Sequence, residues 1–389
     1  MISNIIECVL MHVDIPVVKL YITGRSSEII KVGELYNEKH LPIGVTCKNA
    51  PDLEDLNDWW EGRSIPASRD NLKEALRLLG VKTTGELVNK SLGLSLSDHY
   101  WIKPVNTDLS WSNINFYEND FSEDVGAAFL DGKLNRGVKL NTRAPDNTAD
   151  GIQPKRYKIN DGKRVLYKRG REILFQEPFN EVIAYKIADL IGINHTKYDL
   201  VWSGQIPESV CEIFTSARVE LVSIYNIQNT KKIEVGNSWY EHTIKILEDL
   251  KIKHAREDIE KMLVLDFIIC NRDRHFNNFG ILRNPVTLEW YEMAPVYDSG
   301  NSLWSNLLKP NYSTDEITAQ SFTKSHAEQI KLVKDFSWLD MNKLDEIENI
   351  IRKIIIKNEW FQSGERLDLL CEAVNKRVSI LKQLTVDSG

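Results

Sequence analysis

The sequence has little with which to cross-link or anchor itself. Its five cysteines, Cys8, Cys47, Cys211, Cys270 and Cys371, are widely scattered and form no CxxC pair. That pattern argues against a disulfide framework or a cysteine-based zinc site, and for reduced thiols in a cytoplasmic compartment. No stretch approaches the ~18 apolar residues a membrane span needs. The apolar segment at residues 5–11 is short and carries Glu7, with no basic segment before it and no small-residue cleavage site after it. A signal peptide is therefore not expected. Basic charge is not in excess: 49 Lys and Arg against 56 Asp and Glu give a net charge of −7. That balance argues against direct nucleic-acid binding through bulk electrostatics and leaves open only a local basic face. There is no internal repeat and no low-complexity tract.

What is present is a globular composition. Hydrophobic residues make up 42% and charged residues 27% of 389 residues, enough for a real core and for two or three domains. Residues 5–11, 17–22 and 28–32 are β-branched runs separated by Asp14, Pro16, Gly24 and Ser26-Ser27, which predicts short strands. Helical signals come next. Asp52 or Asp55 caps a segment with Trp59-Trp60, Asp70 precedes Leu72, Ala75, Leu76 and Leu79, and Thr83 or Thr84 opens a helix ending near Gly93. The patches around Trp59-Trp60 and at residues 95–101 suit either a recognition surface with aromatics beside Arg63 or the core of a small domain. Residues 108–150 read as a loop-rich passage between domains, with a mobile loop at 141–153.

From Gly151 the pattern changes. Residues 157–159 and 165–168 flank Asp161-Gly162 and predict a β-hairpin ending in Lys168. Residues 178–191 predict a helix, opened by Pro178, closed by Gly192 and carrying Glu181 early. Two strands are expected at 196–202 and 209–214. Further on, apolar periodicity predicts helices at 240–250, 258–270, 342–357 and 364–384, with Asp266 suited equally to bracing the loop at Asn271 from a buried place and to standing exposed.

The stretch 271–300 carries the strongest chemical signal. Asp273 stands five residues before Asn278, and after a predicted hairpin comes Tyr297-Asp298-Ser299-Gly300. Phosphoryl transfer to a hydroxyl needs a carboxylate that orients the acceptor and oxygen ligands that hold Mg²⁺ against the phosphates. Asp273 suits the first role, and Asn278 and Asp298 the second. A Lys ending a strand, Lys168, and a Glu on the next helix, Glu181, precede them in the order of a kinase small lobe. Asp-Ser-Gly stands where protein kinases have Asp-Phe-Gly, so the metal carboxylate is kept and the Phe is lost. His275 is expected to pack and hydrogen-bond rather than transfer protons.

These motifs resemble HipA-like serine/threonine kinases, the toxin kinases of bacterial toxin–antitoxin modules. The resemblance rests on Asn271-Arg272-Asp273-Arg274-His275 with Asn278, on Ala294-Pro295-Val296-Tyr297-Asp298, and on Lys168 and Glu181 in their segments. It implies an α+β, bilobal protein-kinase-like fold with an N-terminal α+β extension. The expected division is an N-terminal domain at 1–122, a small lobe at 123–228 and a helical large lobe at 229–389. It further implies ATP and Mg²⁺, and adenine binding at Cys211-Glu212-Ile213-Phe214, mostly through backbone groups. Gly151, Gln153 and Lys155 match the family's flexible Gly-containing loop, and Thr148 stands where the family carries an autophosphorylated serine. Asp150 and Pro154 depart from that loop. The resemblance also implies a protein substrate and a small helix-turn-helix antitoxin. Two other functions compete with the protein kinase. One is a lipid or small-molecule kinase, because Asp-Arg-His-x-x-Asn also resembles phosphoinositide kinases. The other is a catalytically weak nucleotide-binding module acting with a DNA-binding partner.

Overall fold

The computed structural model describes residues 5–69, 72–132, 143–149, 151, 153–308, 312 and 317–386. The β-branched runs at the start become strands β1 (Ile5–His12), β2 (Ile15–Thr23) and β3 (Ile29–Leu35). Helices α1 (Leu53–Glu61), α2 (Leu72–Leu78) and α3 (Thr84–Lys90) follow. The chain then returns as β4 (Tyr100–Pro104), giving an antiparallel sheet in the order β3-β2-β1-β4. Asp52 caps α1 by accepting the Glu54 and Asp55 N–H groups, and Thr83 caps α3 through the Glu86 N–H. Asp70, expected to cap α2, lies outside the described residues. Alternation along β1 and β2 buries Leu10, Val18, Leu20 and Ile22 against Leu56 and Trp60. Trp60 and Trp101 are buried, and the Arg63 guanidinium lies over the Trp59 ring while reaching Asp98 and the Gly93 carbonyl. Both aromatic patches are therefore core, tied to each other.

The passage expected to be loop is more ordered than its composition suggests. It contains α4 (Trp111–Ile114), α5 (Asp124–Asp131) and a 3₁₀ turn at Pro145–Thr148. Val125, Ala128 and Phe129 on α5 share a cluster with Ile65, Ala75 and Leu79. The helix has no side-chain cap and carries Gly126 in its interior. Packing, against α2 on one side and β5 on the other, replaces the missing local signals. The described part of the predicted mobile loop is likewise packed: residues 145–148 are all buried.

The second half begins with the predicted hairpin, β5 (Lys155–Asn160) and β6 (Lys163–Arg169), followed by α6 (Glu177–Ile191). Strands β7 (Asp199–Ser203) and β8 (Ile206–Glu212) complete an antiparallel sheet ordered β5-β6-β8-β7. The chain leaves it through β9 (Glu220–Ser223), which pairs with β10 (Gly280–Arg283) and, beyond that, β11 (Trp290–Met293). Around these lie α7 (Ile224–Gln228), α8 (Trp239–Asp249), α9 (Ala255–Ile269), α10 (His326–Gln329), α11 (Ile347–Ile355) and α12 (Glu365–Val386). The segment expected as one helix at 342–357 opens as a 3₁₀ turn, Met341–Glu346, before α11. One large core joins Ile183 and Ile187 of α6, Leu247 of α8, Leu263 of α9, Ile351 of α11 and Leu370 of α12. Helix α6 is thus held from both the sheet and the helical side, which fixes Glu181. The five cysteines are free thiols, and no helix among the described residues is long and apolar enough to cross a membrane.

Candidate active site

Helix α9 ends at Cys270, whose left-handed backbone (φ +53°) turns the chain into the loop carrying Asp273. The last turn of the helix supplies the anchor. Asp266, fully buried, accepts Asn271 Nδ2 at 2.8 Å and the Arg274 guanidinium at 2.9 and 3.1 Å. Arg274 also donates to the carbonyls of Asn278 and Tyr297 and, at 3.1 Å, to Ser299 Oγ. One buried cation therefore fastens the Asp273–Asn278 loop to the Tyr297–Ser299 segment. Inside the loop, the Asp273 N–H donates to Asn271 Oδ1 at 3.2 Å, and Asn278 Nδ2 donates to the Asp273 carbonyl at 2.8 Å. His275 Nδ1 accepts the Asn277 N–H.

Two buried histidines support this frame in defined tautomers. Arg377 can only donate, so His326 Nδ1 accepts from it and His326 Nε2 donates to the Asn271 carbonyl at 2.9 Å. His195 Nδ1 faces the Thr196 carbonyl at 2.7 Å and must donate there, leaving Nε2 to accept from Ser299 Oγ. Burial pushes His195 down to about 4. Burial and the Arg377 charge push His326 down to about 3. Both rings are neutral, as these bonds require.

The second half of the site is a charged triad in which Lys168 and Glu181 are buried and Asp298 is partly exposed. Lys168 Nζ, on β6, lies 2.8 Å from Glu181 Oε1 on α6 and 2.7 Å from Asp298 Oδ1. Glu181 Oε2 accepts the Ser299 N–H at 2.9 Å, so the helix carboxylate fixes both the lysine and the segment carrying Asp298. Asp298 sits in the left-handed region (φ +55°), a conformation Asp tolerates better than most residues. Gly300 passes close to α6: a Cβ there would lie 3.3 Å from Glu181 Oε1. Burial alone would raise the Asp298 pKa, but Lys168 and Lys155 more than offset it and hold the carboxyl below its ordinary range. Burial likewise opposes the charge of Lys168, and Asp298 and Glu181 override it and keep the ammonium firmly protonated. Burial raises Glu181, against the pull of Lys168.

Among the described residues no group of three His, Cys, Asp or Glu side chains could by itself hold a metal ion. Asn278 and Asp298 offer hard oxygen donors of the kind Mg²⁺ takes when substrate phosphates and water complete its shell. The donor set therefore fits that cation.

At the other end of the sheet, the Ile213 N–H donates to the Arg164 carbonyl. Peptide directions alternate along an antiparallel strand, so the backbone groups of Glu212 point away from β6. The Glu212 side chain is turned outward and pairs with Lys163 at 2.7 Å. The Phe214 ring lies against that of Tyr297, with centroids 5.3 Å apart.

Gly151 has φ +88°, and a Cβ there would lie 2.8 Å from Lys155 Nζ. Lys155 in turn acts electrostatically on Asp298, so this part of the loop belongs to the triad's surroundings. Thr148 faces elsewhere. Its hydroxyl is buried and donates to the Leu94 carbonyl at 2.6 Å and the Pro145 carbonyl at 3.2 Å. Asp150 lies outside the described residues. The sequence pattern assigns no separate role to Arg274, His195 or His326. Only Arg274 carried a signal, as the cation beside Asp273 and eight residues after the buried Asp266.

Residues 147–360, more than half of the chain, match the family described as HipA-like C-terminal domain. The chain is 29% identical over 228 residues to the serine/threonine-protein kinase CtkA of Helicobacter pylori, covering 52% of this chain and 70% of that protein. A crystal structure of the Helicobacter pylori proinflammatory kinase CtkA aligns with a TM-score of 0.45 at 18% identity, over 58% of this chain and 90% of that one. The toxin HipA of Shewanella oneidensis MR-1, solved with HipB and operator DNA, aligns with a TM-score of 0.57 at 14% identity. That match covers 95% of this chain and 96% of the other, so the shared fold includes the N-terminal sheet. The chain belongs to the HipA-like family.

Proposed function

We propose that this chain is an ATP- and Mg²⁺-dependent serine/threonine protein kinase of the toxin type, acting on a cytoplasmic protein. The observation that carries the reading is the buried Lys168, held by Glu181 and directed at Asp298, next to a loop braced by Asp266 and Arg274. Asn278 and Asp298 would hold Mg²⁺, which would supply charge neutralisation for the phosphates of ATP. Lys168 and Lys155 steady the phosphates, Gly151 allows close backbone approach, and the backbone at Glu212 and Phe214 receives adenine. Asp273 accepts a hydrogen bond from the acceptor hydroxyl, orients its oxygen in line with the γ-phosphoryl group and takes up its proton as ADP leaves. Positioning and charge neutralisation supply most of the rate enhancement.

The same reading divides the chain into an N-terminal unit at 1–122, a small lobe at 123–228 and a large lobe at 229–389. It makes Thr148 a regulatory phosphorylation site, reached only when the 3₁₀ turn leaves its buried position. The net charge of −7 suits a protein that meets DNA through a small helix-turn-helix antitoxin rather than directly, as the presence of HipB and operator DNA with the Shewanella HipA suggests.

Purified protein should incorporate phosphate from labelled ATP, into itself and into proteins of a lysate. Asp273→Asn and Asp298→Asn should each lower incorporation by on the order of a thousandfold or more. Equal, background incorporation by all three proteins would remove the kinase reading.

A further inference from the structure

We infer that Arg69, from the N-terminal unit, is a positioning residue that seats the nucleotide-facing loop. Without it that loop does not hold ATP. The inference rests on the kinase reading for the identity of the ligand, but not for the seat itself.

Arg69 is 4% exposed and lies about eighty residues before the loop it holds. Its Nε and Nη2 donate to the Gly151 carbonyl at 3.0 and 2.7 Å, and Nη2 also donates to the Ala149 carbonyl. The guanidinium lies 5.9 Å from the centre of the Phe129 ring, so α5 forms its other wall. Neighbouring contacts act in the same direction. Asn147 Nδ2 donates to Ser91 Oγ, Ser91 Oγ donates to the Ala144 carbonyl, and Thr148 Oγ1 donates to the Leu94 carbonyl. Within the turn and at its ends, the Asn147 N–H reaches the Ala144 carbonyl at 3.2 Å and the Ala149 N–H reaches that of Asp146 at 3.4 Å. Ser91, Leu94 and Arg69 hold it from the N-terminal side, and the Tyr157 N–H holds Asp146 from β5.

The chemistry of the seat bears on the ligand. Carbonyl oxygens turned towards a triphosphate repel it, and Arg69 draws two of them to a buried cation. The residue that Arg69 grips, Gly151, is the one beside Lys155 Nζ, and Lys155 acts on Asp298. The seat thus lies beside a lysine whose charge reaches the triad. A planar fork is needed to hold two carbonyls at once, and lysine cannot reproduce it. The seat also opposes a phosphoryl group on Thr148, because Leu94 and Pro145 present only carbonyl oxygens there.

The test uses the full chain with Arg69→Ala, Arg69→Lys and Ser91→Ala. Two quantities are read: hydrogen exchange at the Asn147 and Ala149 amides, and the equilibrium affinity for ATP with Mg²⁺. Arg69→Ala should accelerate exchange in the loop and weaken ATP binding by about tenfold or more, while exchange in β1 and β2 stays as in wild type. Arg69→Lys should fail to restore the affinity. Ser91→Ala, a smaller change that serves if Arg69 variants misfold, should shift both readouts the same way to a lesser degree. Unchanged loop exchange in these variants overturns the seat. A loosened loop with unchanged ATP affinity overturns its role in binding. If wild type binds no ATP, the kinase reading fails, and loop exchange still decides whether Arg69 forms the seat.

Discussion

Lys168 is the residue on which most of the site's charge depends. It is buried between two carboxylates, Glu181, which is fully buried, and Asp298, whose side chain keeps 31% of its surface exposed. Removing one partner of such a buried set leaves charge without compensation, which typically costs about 3–5 kcal/mol. Lys168→Met should therefore lower stability by that order and abolish ATP binding, both measurable by denaturant titration with and without nucleotide. A variant as stable as wild type would show that Glu181 and Asp298 are not ionised against Lys168. The pH dependence follows from the depressed Asp298 value. A carboxyl with a folded pKa below its unfolded value contributes stability that is present above about pH 4 and lost as pH falls further. Lys168→Met removes that contribution, so the gap between variant and wild type should narrow in acid.

At the scale of elements, the informative contrast is between segments that stabilise themselves and segments stabilised from elsewhere. The hairpin β5–β6 was legible from Asp161-Gly162, α6 from Pro178 and Gly192, and β1 to β3 from β-branched runs between turn residues. Lys168, Glu181 and Asp298 were legible as an ordered series, and α6 and the sheet bring them together. Helix α5 was not legible, because Gly126 interrupts it and its stability comes from α2 and β5. Nor was the turn at Pro145–Thr148, a polar run whose partners Ser91 and Leu94 lie more than fifty residues away. Asp146 shows what that burial implies. Its Oδ1 accepts the Tyr157 N–H, and Oδ2 has no hydrogen-bond partner. Burial raises its pKa to about 7, with Glu123 adding to the rise and the Tyr157 N–H and Arg69 opposing it. A folded pKa above the unfolded one means stability that is full below about pH 4 and lost as pH rises through 7. Asp146→Asn, neutral at every pH, should gain on wild type above pH 7, by up to about 4 kcal/mol. The gain should vanish near pH 4. Thermal midpoints at pH 4, 6 and 8 decide it, and a difference that does not change with pH would contradict a protonated native carboxyl.

For the whole molecule, the question is what joins the N-terminal unit to the kinase-like half. The answer centres on Glu220, fully buried on β9. Arg283 of β10 reaches it at 2.6 Å, His12 of β1 at 3.0 Å, and His99, beside β4, at 3.6 Å. His12 stacks on Tyr100 with ring centres 4.1 Å apart and meets His40 Nδ1 at 2.9 Å. Backbone and hydroxyl contacts extend the joint: the Leu221 N–H donates to the Ser97 carbonyl, and Thr215 Oγ1 donates to that of Leu96. Burial alone would raise the Glu220 pKa, yet His12 and Arg283 hold it well below the usual range, so the group stays ionised. Glu220→Ala would leave the Arg283 guanidinium, 2% exposed, without its carboxylate, a loss of about 3–5 kcal/mol. Because the contacts to Glu220 cross from one half to the other, that loss should fall on their coupling more than on either core. Calorimetry of the variant should resolve two unfolding transitions where wild type is more cooperative, with β1 and β2 losing protection from exchange before α9. The stability attributable to Glu220 should be present above about pH 4 and fade below it, as its depressed pKa requires. If Glu220→Ala unfolds in one transition at the wild-type midpoint, the two halves are held together by their apolar contacts and the buried ion cluster is dispensable.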